Sequence, residues 1–145
     1  FEPQVAHEAA HAGALGADHR AFERGVELAR GLAKIPKATR FIATREAIRQ
    51  ELADPSGDLL WRYSGMQDCE GTFISCAFWM VEAYGLLGER DEAERLFHSL
   101  LGRVRNDVGL MPEMWDPLTG QGLGNTPQGL SHLALIHAAF AVDGH

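Results

Sequence analysis

Two stretches of this sequence place chemistry-bearing side chains at a spacing that can matter. The first is GLMPEMWDPLTGQGLGNTPQGLSHLALIH, residues 109–137. It holds one carboxylate, Glu113, between Pro112 and the apolar Met114, with Trp115 close behind. A turn-rich loop follows, with Asp116-Pro117, Gly120, Gly122 and Gly124-Asn125. A long loop carrying a lone carboxylate, set between two apolar helices, is where binding and catalytic groups tend to sit. The plainer reading is that Glu113 is a solvated loop residue, as most glutamates are.

The second stretch is His7-Glu8-Ala9-Ala10-His11, an H-E-x-x-H pattern. On a helix its two histidines share a face and can bind zinc, with Glu8 as base for a zinc-bound water and His19 as a third ligand. The surroundings speak against it. No strand precedes the motif, and an Ala-rich helix accommodates stray His and Glu readily. The expectation is therefore no metal and no cofactor, with a zinc metallopeptidase as one alternative function.

Around these stretches the chain reads as helix after helix. Residues 3–15 are Ala-rich, and residues 18–34 form a better helix with Asp18 as candidate N-cap. Ile35-Pro36-Lys37 breaks it. Residues 39–53 are amphipathic, and Asp54-Pro55-Ser56-Gly57-Asp58 is a turn cluster. Leu59 to Tyr63 reads as a short extended piece, and residues 64–71 as a loop. Residues 72–87 are apolar on every side except at Glu82, the mark of a buried helix, and Gly88 can end it. Residues 91–104 are the opposite. Ala93, Leu96, Phe97, Leu100, Leu101 and Val104 make one stripe, and Glu92, Glu94, Arg95 and Arg103 make the other face. The last helix, residues 127–142, is again strongly apolar, with Thr126 as cap and Pro127 at the first helical position. The expectation is a nearly all-helical chain in two layers, with residues 73–87 and 130–140 buried, residues 91–104 half exposed, and no sheet of three strands.

Composition narrows the function classes. A length of 145 residues suits a single domain with a real core. A net charge of −7 gives no basis for a nucleic-acid surface or for binding anionic membranes. Cys69 and Cys76 suggest neither a disulfide framework nor a metal site. No apolar run reaches membrane-spanning length and no signal peptide is visible, so the default compartment is the cytoplasm. The chain opens on Phe rather than Met, and a trimmed start is expected.

Several motifs together carry a family resemblance. DCEGTFISCAFW (residues 68–79), then VEAYGLLGERDEAERLF, then the PE-x-W-D loop and the LGN-x-PQ-x-x-SH helix start, resemble the C-terminal part of the catalytic domain of glycoside hydrolase family 15. That family holds glucoamylases, glucodextranases and trehalases. The aromatic–Arg–Tyr segment Trp61-Arg62-Tyr63 ahead of EGTF is similar too. The resemblance spans about residues 41–142 and leaves residues 1–40 unassigned.

The resemblance implies an all-α fold, part of an (α/α)6 toroid of alternating inner and outer helices. It implies an α-glucoside as small-molecule partner and an inverting mechanism with two carboxyl groups. Glu113 falls at the general-base position, and partial desolvation beside Pro112 and Trp115 would suit that role. Glu70, Trp61, Arg62 and Trp115 become candidate sugar-binding residues. For Glu70 the alternative is a charge at a helix N-terminus. For Trp61 and Arg62, with Tyr63, it is a core aromatic beside a surface arginine. His132 reads more readily as a helix-packing residue than as a catalytic one. The family's general acid lies upstream, in a segment absent here, and about six helices cannot close a twelve-helix ring. The chain thus reads as roughly half of a catalytic domain. Its partners would be the remainder of the same enzyme or further copies of itself, and an inactive helical interaction module is the remaining alternative.

Overall fold

A computed structural model describes residues 37–104 and 108–144. The expected helices of residues 3–15 and 18–34, and the HEAAH motif, lie outside them. The chain divides between Phe41 and Ile42, and Ile42–His145 form one unit.

Among the described residues there are four helices: α1 (Lys37–Leu52), α2 (Ile74–Leu86), α3 (Arg90–Val104) and α4 (Gly129–Asp143). The class is all-α, compatible with part of an (α/α)6 ring. α2 packs against both α3 and α4. Its residues Ile74, Ala77, Phe78, Met80, Val81 and Tyr84 are buried, so an almost uniformly apolar segment became the central helix. α3 buries Ala93, Leu96, Leu100 and Val104, the centre of the stripe its sequence shows, with Phe97 and Leu101 only partly buried beside them. Tyr84 also accepts a hydrogen bond from Arg49 Nη1 at 2.7 Å, tying α1 to α2.

The α1–α2 connection is built on buried acids. Asp54 accepts from the Leu59 N–H and from the Ser56 hydroxyl, and Gly57 closes the turn at φ +79°. Asp58 receives Arg95 and Ser99 from α3. Leu59 and Leu60 then run extended into the core, with Ala53 bridged to Leu60.

Three expectations need correction. A three-stranded antiparallel sheet is present: β1 (Thr72–Phe73), β2 (Met114–Asp116) and β3 (Gln121–Leu123), in the order β1-β2-β3. Its strands are two or three residues long, too short to show an alternating pattern, and the helices carry the core. Residues 72–73 accordingly leave the expected helix to pair with Trp115 and Met114. Second, α4 starts at Gly129 rather than at Pro127, and Gln128 rather than Thr126 is its cap, its side chain accepting from the Leu130 N–H. Third, α4 is not a buried helix here. Only Ser131, Ala134 and Ala138 are buried, while Leu130, Leu133, Ile136 and Phe140 are exposed, Leu133 at 57% and Phe140 at 55%. An apolar sequence indicates that a helix wants burial but does not supply the partner. On α2, Trp79 and Leu86 are exposed for the same reason.

α2 and α4 approach closely at Gly85, where an added Cβ would lie 2.9 Å from the Ala141 carbonyl oxygen. Gly85→Ala gains about 0.5–1 kcal/mol of helix propensity. Overpacking against fixed backbone costs about 1–3 kcal/mol. The clash wins, and the variant is expected to lose about 1 kcal/mol in urea unfolding. A raised melting temperature would refute the close approach.

Candidate active site

The site is built on a short strap, Met111-Pro112-Glu113, that leads into β2. Met111 and Pro112 are buried, and the first turn of α4 holds them. The Gln128 N–H donates to the Met111 carbonyl at 2.9 Å, and the fully buried Ser131 hydroxyl donates to the Pro112 carbonyl at 2.8 Å. The Met111 N–H donates to His132 Nε2 at 3.3 Å. That bond requires a lone pair on Nε2 and so places the proton on Nδ1, 2.7 Å from the Gln128 carbonyl. His132 is therefore a packing buttress whose two nitrogens are both in use. On its other sides the strap is knitted to the sheet: Glu113 N–H donates to the Asn125 carbonyl at 2.9 Å, and Ile74 N–H donates to the Glu113 carbonyl at 3.2 Å.

The Glu113 side chain is half-buried. Its Oε2 accepts from Asn125 Nδ2 at 2.9 Å and from the Asn125 N–H at 3.3 Å. Among the described residues, Oε1 accepts no hydrogen bond. Gly124 makes the approach possible. It sits at φ +73°, and a Cβ there would come within 2.9 Å of Glu113 Oε2. The hairpin that brings Asn125 back is closed by Asp116, which accepts from the Leu118 N–H and from the N–H and hydroxyl of Thr119. The Thr119 hydroxyl first, then the Leu118 and Thr119 N–H groups, hold the Asp116 carboxyl below its usual range.

The other candidates lie on β2 and in the segment ahead of β1. Thr72 pairs with Trp115, and its hydroxyl donates to the Trp115 carbonyl at 2.8 Å. Glu70, two residues ahead of Thr72, pairs with Arg62 (Nη2–Oε2 2.7 Å). The Arg62 guanidinium lies over the Phe73 ring at 4.9 Å and the Tyr63 ring at 5.4 Å. The hydrogen bond it donates to Glu70, with smaller contributions from the Glu70, Tyr63 and Glu113 charges, outweighs the opposing effect of burial and raises its proton affinity further. Arg62 is thus a fixed cation within electrostatic reach of Glu113. Trp61 is buried at 8% exposure, and its indole N–H donates to the Glu70 carbonyl at 3.3 Å. It supports Glu70 from below and offers no free face. Trp115 is half-buried against the core, and Tyr63 is exposed. Cys76, near Arg62, is pushed up to about 11 by burial and is not a thiolate at neutral pH.

Comparison with known proteins bears on what these residues serve. Over 107 residues, 71% of this chain, the sequence is 39% identical to a trehalase of Mycolicibacterium smegmatis. It is 39% identical over 100 residues to a trehalase of Mycobacterium tuberculosis and 38% identical over 103 residues to one of Thermoplasma acidophilum, covering 66% and 69% of this chain. This chain is similar to trehalases. It spans only 16%, 15% and 17% of the length of those three relatives. No protein-family model matches it, and no solved structure matches it.

Glu113 thus precedes β2 opposite Ile74, Trp115 lies on β2 opposite Thr72, and Arg62 and Glu70 pair with each other ahead of β1, with the Trp61 indole bonded to the Glu70 carbonyl. Sequence reasoning missed Asn125, which it treated as part of a turn, and Ser131, which it passed over as a small helix residue. The Gly-Asn pair twelve residues after the carboxylate is the only local signal for the first. Among the described residues, no group of three or more His, Cys, Asp or Glu could hold a metal ion. None of the described helices is long and apolar enough to cross a membrane.

Proposed function

We propose that this chain forms part of the catalytic domain of an inverting α-glucoside hydrolase of glycoside hydrolase family 15, and that Glu113 is its general base. The observation that carries the reading is the state of the Glu113 carboxylate. One oxygen is anchored by Asn125, and among the described residues the other is uncommitted. A general base needs that division: a fixed orientation and a free lone pair.

In this reading Glu113 Oε1 takes a proton from a water as that water attacks the anomeric carbon. An acid contributed by another segment protonates the departing oxygen on the opposite side of the sugar. Arg62 offers N–H donors to sugar hydroxyls, and Glu70 holds it in place while accepting from them. Trp61 acts through the backbone of Glu70, and Trp115 forms an apolar wall. Trehalose, an α-glucoside, is the substrate that the names of the relatives favour.

The exposed apolar face of α4 supports membership of a larger ring. Leu130, Leu133, Ile136 and Phe140 lie at the three- and four-residue steps that bring side chains onto one side of a helix, and a soluble protein seldom leaves such a patch bare. Two outcomes are expected of the 145-residue chain alone. It releases no glucose from trehalose, because it supplies only half of an acid–base pair, and it associates with rising concentration on gel filtration. Efficient hydrolysis of trehalose by this chain alone would overturn the reading.

A further inference from the structure

We propose that Asn125 is the positioning residue of Glu113, its side-chain amide fixing Oε2 so that Oε1 alone faces the reacting water. The inference rests on the reading of Glu113 as base and deepens it.

Three bonds join the two residues. Asn125 Nδ2 and N–H both donate to Oε2, and the Asn125 carbonyl receives the Glu113 N–H at 2.9 Å. Because the ionised carboxylate is acceptor-only, the amide must turn its NH2 toward it. A glutamate has three side-chain torsions, and a half-buried one without partners would spread over several rotamers. Two donors on a single oxygen select one of them. The donors come from a backbone that is itself fixed by the β2–β3 hairpin and by Gly124 at φ +73°. No other hydrogen bond to the Glu113 carboxylate exists among the described residues, so the side-chain amide is the main anchor. Asparagine suits the task in two respects. Its amide reaches the carboxylate at 2.9 Å, which a serine hydroxyl on a shorter side chain would not. It also carries no charge, whereas an aspartate of the same shape would repel Glu113.

The test uses an enzyme that contains this segment, assayed on trehalose. Asn125→Ala is expected to lower kcat about 10- to 100-fold, as small misplacements of a reacting group do, with KM within about threefold. In a Glu113→Gln background the same change should add no further loss, because a positioning residue has nothing left to position. Asn125→Asp keeps the shape and guards against misfolding of the alanine variant. There the two carboxylates retain a shared proton to higher pH, and the acid limb of the rate profile should move up. Wild-type kcat in Asn125→Ala would overturn the inference, as would a KM effect alone or a full additional loss on top of Glu113→Gln. If Glu113→Gln is itself active, the base reading fails. If Glu113→Gln is inactive but Asn125→Ala and Asn125→Asp are unimpaired, only the positioning role fails.

Discussion

Glu113→Gln, in an enzyme that contains this segment, is expected to lower kcat on trehalose about 10²–10⁴-fold, the usual loss when a general base is removed. That corresponds to about 3–5 kcal/mol of transition-state stabilisation. The amide has nearly the volume of the carboxylate, and its oxygen can still accept from Asn125 Nδ2, so the strap and hairpin should keep their geometry. What it cannot do is take a proton from water. The loss should therefore appear in kcat, with KM and melting temperature close to the parent. Steady-state kinetics and a thermal melt on the same preparation separate the cases. Activity within a few-fold of the parent would remove Glu113 as base. A large fall in melting temperature would show a structural role instead.

Much of this architecture can be read from the sequence, and the failures have physical causes. α2 and α3 are legible because burial leaves a periodic trace: apolar all round for the central helix, one stripe for the outer one. Glu113 is legible as a lone carboxylate after a proline, and its expected role comes from the PE-x-W-D resemblance. The sheet is not legible, because Thr72-Phe73 and Gln121-Gly122-Leu123 are too short for a period of two to appear. They pair because the Asp116 turn folds β3 onto β2, and because Gly71 and Gly122 let backbone and proline approach. The start of α4 was misplaced since Thr126-Pro127 looks like a cap, whereas the Met111 carbonyl claims the Gln128 N–H and fixes the entry there. The contact of Asn125 with Glu113 was not legible because it spans twelve positions and exists only once the hairpin closes.

The largest loss of stability is expected from Phe78→Ala. Phe78 is fully buried in α2, and its ring meets Phe97 of α3 edge-on, with centroids 6.2 Å apart and planes at 66°. Removing the ring loses its transfer free energy and leaves a cavity that a helix fixed on two sides cannot collapse into. Phe→Ala changes of this kind cost about 3–5 kcal/mol. The aromatic pair is worth about 0.5–1.5 kcal/mol of its own. A small unit has only about 5–15 kcal/mol in total, so most of the stability of this one is at risk. Trp79, next in the chain but 45% exposed, is the internal control. Trp79→Ala removes a larger side chain yet creates little cavity, and its cost in this chain should be well below that of Phe78→Ala. Urea unfolding followed by far-ultraviolet circular dichroism measures both. The order matters for function as well as for stability. α2 starts at Ile74, whose N–H holds the Glu113 carbonyl, so loosening α2 releases one wall of the site. If Phe78→Ala costs no more than Trp79→Ala, α2 is not the central helix, and the placement of Glu113 against it fails with it.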